Sequence, residues 1–183
     1  MPVLLLLIGC ASTERPAPLQ PTGRSALDGH GYALLYDLMG DEKNVSKIRF
    51  IKHERPELRE LIIEISTRCN HAHKALEAFG KADPSLNLKD LGLPADEVVT
   101  RKAISKSKTS ALLHGKGKEF EVQLLLSQSE ALTYGTHLSK ILIPVESHPA
   151  RAEFLSKLSF ELLKLQQKTL NMILVNYSWP APK

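Results

Sequence analysis

Two glutamate–histidine pairs have the residue types and spacing best suited to metal chemistry in this sequence. Glu64 and His71 lie seven residues apart, as do Glu130 and His137, and seven residues bring a helix back to nearly the same face. Carboxylates and imidazoles are ligands for divalent metals such as zinc or iron. Seven residues span about 10.5 Å, however, so one helix cannot give both of its ligands to a single ion. The alternatives are therefore a site shared between two helices and four ordinary solvated side chains.

Sequence motifs for catalysis are absent. Di-iron bundles need Glu-x-x-His on two helices, and this sequence contains no Glu-x-x-His. It also lacks the Gly-x-Ser-x-Gly of hydrolases and the His-Glu-x-x-His of zinc proteases. We therefore predict that the protein is not an enzyme and needs no cofactor, with a divalent metal as the alternative.

A basic segment extends from Arg101 to Lys118 and contains no acidic residue. Near an anionic lipid surface each cation contributes about 1 kcal/mol of attraction, so the segment is a candidate membrane-surface patch, although most charge runs are solvated helix faces. The net charge of +4 is modest, with both signs interspersed, and a nucleic-acid partner is not expected. The patch comprises Arg101, Lys102, Lys106, Lys108, Lys116 and Lys118.

The N-terminus resembles a bacterial lipoprotein signal. Residues 3–8 form an apolar run, and Leu7-Ile8-Gly9-Cys10 resembles a lipobox, in which the cysteine thiol is acylated after cleavage before it. We interpret residues 1–9 as the remnant of a signal peptide. Because they include no lysine or arginine, we expect that the true start lies upstream of the recorded one. The alternative is an apolar N-terminus on a cytoplasmic protein.

The segment after Cys10 is rich in proline and small polar residues, and we predict a flexible tether over residues 10–25. In lipoproteins an aspartate after the acylated cysteine is the usual signal for retention in the inner membrane, and here that residue is Ala11. The resemblance thus implies the cell envelope, on the periplasmic face of the outer membrane. The lipid anchor would be the contact with the membrane.

The candidate ligands require long helices to position them, and the apolar spacing predicts such helices. Rows of packable side chains at spacings of three and four occur in residues 57–79, 118–143 and 150–175. A first helix is expected from Asp41, as its N-cap, to Pro56. Gly29 and Gly31 indicate a turn before a possible short helix, and Gly80 a helix stop. The row in residues 57–79 includes Cys69, which we interpret as a small buried hydrophobe.

Short links join the first helix to the second and the third to the fourth, whereas residues 81–117 form a long connection with a weaker helix over 95–113. One long crossover in the middle is typical of the ferritin-like four-helix bundle. The predicted fold class is therefore all-α, an up-down four-helix bundle with the crossover between helices 2 and 3. Residues 26–176 would form a single domain, followed by a tail over 177–183.

The chain also resembles a family of bacterial exported proteins with a ferritin-like domain of unknown function, the DUF4142 group. Asn70-His71 corresponds to an Asp-His of the family, Leu93-Pro94 lies in the crossover, and Phe120-Glu121 with Gln128 corresponds to Phe-Asp and a glutamine seven residues on. The family tends to carry a histidine where this sequence has Leu132. The resemblance implies an exported helical bundle, and it would cover about residues 40–174. We expect a binding or interaction module of the envelope, with a protein partner there.

Overall fold

The structure is a computed structural model and describes residues 24–50 and 55–177. Over these ranges it is entirely helical and contains no strand, which confirms the all-α prediction. Within the same ranges no helix combines the length and the apolar character needed to cross a membrane. Cys10, the signal remnant, the tether before Arg24 and the tail after Tyr177 lie outside the described residues. The five α-helices are α1 (Arg24–Glu42), α2 (Pro56–Ala82), α3 (Ala95–His114), α4 (Gly117–Leu142) and α5 (Pro149–Asn176), and short 3-10 helices cover Val45–Phe50, Pro84–Leu86 and Ile143–Val145.

The predicted first helix is wrong in position. Asp41 lies in the last turn of α1 rather than at an N-cap, and the following residues form a 3-10 helix instead of a long α-helix. Residues 32–39, which are mostly apolar, supply buried side chains, among them Tyr32, Leu35 and Met39. Gly29 and Gly31 lie inside α1, where a glycine costs about 1 kcal/mol relative to alanine. Burial of the apolar side chains outweighs that local cost.

Gly31 of α1 and Gly80 of α2 are sites of close packing rather than helix breaks. A Cβ built on Gly31 would lie 2.4 Å from Leu142 Cδ2, and one on Gly80 would lie 2.5 Å from Leu88 Cδ1. Both helices therefore continue through their glycines, and α2 ends at Ala82 rather than before Gly80. The predicted helix stop at Gly80 is wrong. A small residue suits this position inside the helix because the Leu88 side chain occupies the space that a larger residue would fill.

Helix α4 packs most extensively against α5, and α1 packs against both α2 and α4. Helix α2 meets α5 less extensively, and α3 packs mainly against α4. The predicted apolar rows of α2, α4 and α5 supply the core, as expected from their spacing. The fully buried members include Leu58, Ile65, Leu76, Leu124, Leu132, Leu155 and Leu162.

Buried carboxylates connect the helices at both ends of the bundle. Glu121 of α4 accepts from the backbone amide and the Nε of Arg55, each at 3.1 Å, and from the hydroxyl of Tyr177. Burial, with the Glu121 carboxylate next to it, raises the pKa of Tyr177 to about 12. At the other end Glu146 accepts from Tyr32 at 2.6 Å and from Arg151 at 2.9 Å. These contacts hold the helix ends in register.

The Arg151 guanidinium also donates to Asp83 at 2.6 Å. Burial raises the pKa of Glu146, but hydrogen bonds from Arg151, Tyr32 and the His148 amide outweigh burial, and the net pKa lies below its ordinary value. Both partners of Arg151 are therefore carboxylates held in the charged form. This cluster joins the 3-10 turns after α2 and α4 to the start of α5.

Candidate functional site

An open groove lies on the surface between α2 and α5, and we name it the α2–α5 groove. One part encloses about 410 Å³ beside the start of α2 and the end of α5. A second part of about 690 Å³ continues along the same two helices. Glu64, Lys168 and Asn171 line both parts, so the two parts form one continuous groove whose middle lies at these residues.

The groove lies between two helices that pack only to a small extent on each other. Their contact is much less extensive than that between α4 and α5. Leu61 and Leu165 form part of its floor and are each at most 5% exposed. The rims carry charged side chains of both helices. This combination of an apolar floor and polar rims is the usual make-up of a binding site.

The two ends of the groove differ in charge. The end near the start of α2 is lined by the carboxylates of Glu57, Glu60 and Glu64 and by a single cation, Lys168. The other end is lined by three further cations, Arg68, Lys157 and Lys164, and by one further acid, Glu161. The first end is therefore net acidic and the second net basic.

Large apolar side chains are exposed at both ends of the groove. Phe160 is 57% exposed at the basic end, and Val175 is 78% exposed at the acidic end. The Lys164 ammonium lies 4.6 Å from the centre of the Phe160 ring, which is the geometry of a cation–π contact. An exposed aromatic beside a lined groove is typical of a contact surface.

The predicted metal ligands on α2 point to solvent. Glu64 forms an ion pair with Lys168 of α5 at 2.7 Å, and its side chain is 43% exposed. His71 is also exposed. The carboxylate that was a candidate ligand is thus already paired with an ammonium group.

The predicted ligands on α4 are arranged in the same way. Glu130 pairs with Lys108 of α3, and His137 is exposed. Helix α4 packs on α1, α3 and α5 rather than extensively on α2, so the structure does not gather the two pairs. Across the described residues no group of three or more His, Cys, Asp or Glu side chains could hold a metal ion. The zinc or iron site stays a prediction.

The six basic residues of the predicted patch are all exposed, and two of them are engaged. Arg101 pairs with Glu97 at 2.7 Å and lies 5.8 Å from the centre of the Tyr134 ring, while Lys108 pairs with Glu130. Helix α3 has no buried residue, and Lys102 and Lys106 line shallow depressions on its outer surface. The remaining cations of the patch, Lys116 and Lys118, lie beside the junction of α3 and α4 and are also exposed.

A half-buried ionisable group, Glu42, lies at the end of α1. Burial raises the pKa of Glu42 to about 7; hydrogen bonding from Gln128 opposes this, Asp41 raises it further, and Lys108 lowers it. Gln128 is 3% exposed, and its Oε1 atom has no hydrogen-bond partner within the part of the chain that the structure describes. Two polar groups from α1 and α4 therefore meet inside the bundle.

Cys69 lies in the core, as its place in the apolar row of α2 predicts. It is a free thiol with 0% exposure. Burial, and to a lesser extent Glu42, raises its pKa to about 12. The thiol is thus neutral at physiological pH, and its place in the structure is that of a small core side chain.

Sequence reasoning missed both Glu42 and the α2–α5 groove. Glu42 lies in the short segment that was assigned to a different helix, so its helical face was misplaced. The sequence did contain a signal for the groove at Phe160. This residue lies outside the apolar row of α5 and must therefore face away from the core. An aromatic on the polar side of a helix indicates a second contact surface.

Comparisons of the chain with protein-family models, with curated proteins and with solved structures gave no match. The fold and the site together define a helical-bundle protein with an open groove between two helices.

Proposed function

We propose that this protein is a lipid-anchored component of the bacterial cell envelope whose helical bundle binds a protein surface and does not catalyse a reaction. The lipobox-like Leu7-Ile8-Gly9-Cys10 supports acylation of Cys10, and Ala11 supports the periplasmic face of the outer membrane. The resemblance to the DUF4142 group supports an exported protein with a ferritin-like bundle. The packing of α1, α2, α4 and α5, with α3 in the long crossover, is compatible with that arrangement.

The observation that carries the proposal is the α2–α5 groove. It has an apolar floor, charged rims and an exposed aromatic at its edge. Two of its carboxylates are paired with cations, Glu64 with Lys168 and Glu161 with Arg68. A surface of this kind suits recognition of another surface.

The anchor is tested by metabolic labelling with palmitate of the full chain, preceded by a basic signal-peptide segment and expressed in a bacterium with an outer membrane. We expect labelling and recovery with the outer membrane, and loss of both for Cys10→Ala. Unlabelled protein in the cytoplasmic fraction would overturn the envelope assignment. The readout does not depend on the identity of the partner.

The groove is tested in the same cells with a photo-crosslinking amino acid at position 160, at the basic end of the groove. The matched control carries it at position 140, where Lys140 is exposed on α4. We expect a discrete adduct from position 160 only. Equal yields from the two positions, or no adduct from either, would overturn the groove as a binding site.

A second candidate function is favoured by the exposure of α3. Lys102, Lys106, Lys116 and Lys118 form no ion pair among the described residues, and they face solvent. These side chains could lie on anionic headgroups, each contributing about 1 kcal/mol. Co-sedimentation with anionic and with neutral vesicles at low salt tests this function, and binding that survives Lys102→Glu combined with Lys106→Glu would contradict it.

A further inference from the structure

The two ends of the α2–α5 groove carry complementary charges, since one end is net acidic and the other is net basic. We propose that its occupant is a second copy of this chain, packed on the same face about a two-fold axis that lies in the interface and crosses the helices near Glu64 and Lys168. The proposal rests on the proposed function and names the partner of the same site. Each copy of a two-fold dimer presents the same patch, so the patch must be complementary to itself.

Charge fixes the direction of the axis. An axis parallel to the helices would place the acidic end of one copy on the acidic end of the other. An axis perpendicular to them places acidic against basic, because it reverses position along the helices. Like charges across an interface are costly, whereas opposite charges steer and orient association. The perpendicular axis is therefore the one that the groove permits.

The positions of single residues agree with this axis. Glu60 and Arg68 each lie four residues from Glu64 on α2, on opposite sides of it, which is about 6 Å along the helix. The axis thus places Glu60 of one copy opposite Arg68 of the other, twice per dimer. His71 and Glu57 are related in the same way, each seven residues from Glu64.

Shape agrees as well as charge. Phe160 lies eight residues below Lys168 on α5, and Val175 lies seven residues above it. The axis therefore places the exposed ring of one copy over the apolar hollow of the other, which is lined by Leu61, Met172 and Val175 and encloses about 410 Å³. An aromatic ring in an apolar hollow is the usual anchor of a protein interface.

The face is small, so the dimer is expected to be weak in dilute solution. Its lining covers 12 positions of α2, from Glu57 to Arg68, and 20 positions of α5, from Lys157 to Asn176. These lengths are about 18 Å and about 30 Å, which places the face at the lower end of specific interfaces. Anchoring both copies in one membrane would raise their effective concentration without any new contact. Assembly would therefore be favoured where the protein is anchored.

Sedimentation equilibrium of the full chain with Cys10→Ser, which prevents acylation, tests the proposal. We expect a reversible monomer–dimer equilibrium that is nearly complete by about 100 µM, as a micromolar Kd requires. Phe160→Ser should weaken it at least about tenfold, while Leu126→Ser, which replaces a 49% exposed leucine of α4, should not. A monomer at every concentration, or a dimer equally sensitive to both changes, would overturn the proposal.

A charge exchange gives a sharper test of the axis. Glu60→Arg places two cations opposite each other in its own dimer, and Arg68→Glu places two carboxylates opposite each other, so each variant alone should be monomeric. Mixing the two variants restores opposite charges at both contacts, and a heterodimer should form. Lys140→Glu, on exposed α4, is the control and should dimerise normally. A mixture that stays monomeric while the unchanged chain dimerises would overturn this axis.

The crosslink from position 160 separates this proposal from the proposed function. An adduct at twice the mass of the chain supports self-association. A discrete adduct with another protein, together with a monomer in sedimentation, overturns self-association but leaves the groove as a binding site. The absence of any adduct, together with a monomer, overturns both.

Discussion

At the scale of single residues, the half-buried carboxylate of Glu42 makes stability depend on pH. Its pKa is about 7 in the folded chain against an ordinary value of 4.5, with burial as the main cause. Between these two values the folded state binds more protons than the unfolded state, so the free energy of unfolding falls as pH rises from about 4.5 to about 7. Above about pH 7 the loss of stability that Glu42 causes is complete, and it no longer changes with pH.

Glu42→Gln is expected to abolish this pH dependence and to stabilise the protein above pH 7. One pKa unit corresponds to about 1.4 kcal/mol, so the gain at pH 8 is at most about 3 kcal/mol and close to zero at pH 4.5. An amide at position 42 can also donate to the unpartnered Oε1 of Gln128. Urea unfolding at several pH values between 4.5 and 8 measures the difference.

The control for this experiment is Glu153→Gln, since Glu153 is an exposed carboxylate of α5. It should leave the slope of stability against pH unchanged. If Glu42→Gln were to behave like this control, Glu42 would not be the buried group that titrates near neutrality.

At the scale of the helices, α4 is central because its narrow face lets two neighbours approach it. A Cβ built on Gly135 would lie 2.9 Å from Leu162 Cδ1 and 3.0 Å from Leu38 Cδ2. Helices α1 and α5 therefore both approach closely at the same position of α4. The buried Thr136 and Ser139 hydroxyls donate to carbonyls of their own helix, at 2.8 Å, so these two hydroxyls are satisfied without a partner helix.

Gly135→Leu is expected to destabilise the fold by about 3 kcal/mol, because an overpacked core forces neighbouring side chains and backbone to shift. Thr133→Leu, on the exposed side of the same helix, should change stability by less than about 0.5 kcal/mol. The urea midpoint at an unchanged m-value measures both effects. A tolerated leucine at position 135 would show that α1 or α5 can move away from α4.

Helix α3 differs from the other helices in having no buried residue. Its Leu112 is only partly buried against the core. Its surface pairs with α4, such as Lys108 with Glu130, are exposed ion pairs that contribute less than about 1 kcal/mol each. We expect hydrogen exchange of the α3 amides to proceed through local opening, at a much lower free energy than global unfolding. Native-state exchange in low denaturant measures this, and α3 amides that open only with those of α4 would contradict it.

At the scale of the whole molecule, the packing order of the helices decides which candidate ligands can meet. Glu64 and His71 belong to α2, Glu130 and His137 belong to α4, and these two helices pack mainly on shared neighbours rather than on each other. Lysines from α5 and α3 neutralise the two glutamates. The arrangement separates charges that a metal site would need to bring together.

Elemental analysis of the chain, purified without an affinity tag or chelator and then offered zinc and iron, is therefore expected to show well below one ion per chain. The double variant His71→Ala with His137→Ala should unfold at nearly the same temperature as the unchanged chain, since both histidines are exposed. Stoichiometric metal that disappears in this variant, together with a loss of thermal stability, would favour a metal site instead.

The local pattern of the sequence determined the helices that bury a continuous apolar row. The bounds expected for α4 and α5 agree with the structure to within about two residues, which is the usual accuracy at helix ends. The same row identified Cys69 as a core residue. Spacing is sufficient here because burial of one face stabilises a helix wherever its partners lie.

Only the tertiary structure decided where α1 runs and what faces α2 and α5. The glycines of α1 indicate a turn locally, and they are accepted in a helix because Leu142 occupies the space next to Gly31. In the same way the charged residues of α2 and α5 cannot be distinguished in the sequence from those of ordinary solvated helix faces. They form a groove only because the two helices lie side by side. Contacts between residues far apart in the chain have no local signature, so the start of the bundle and the groove on its surface follow from packing alone.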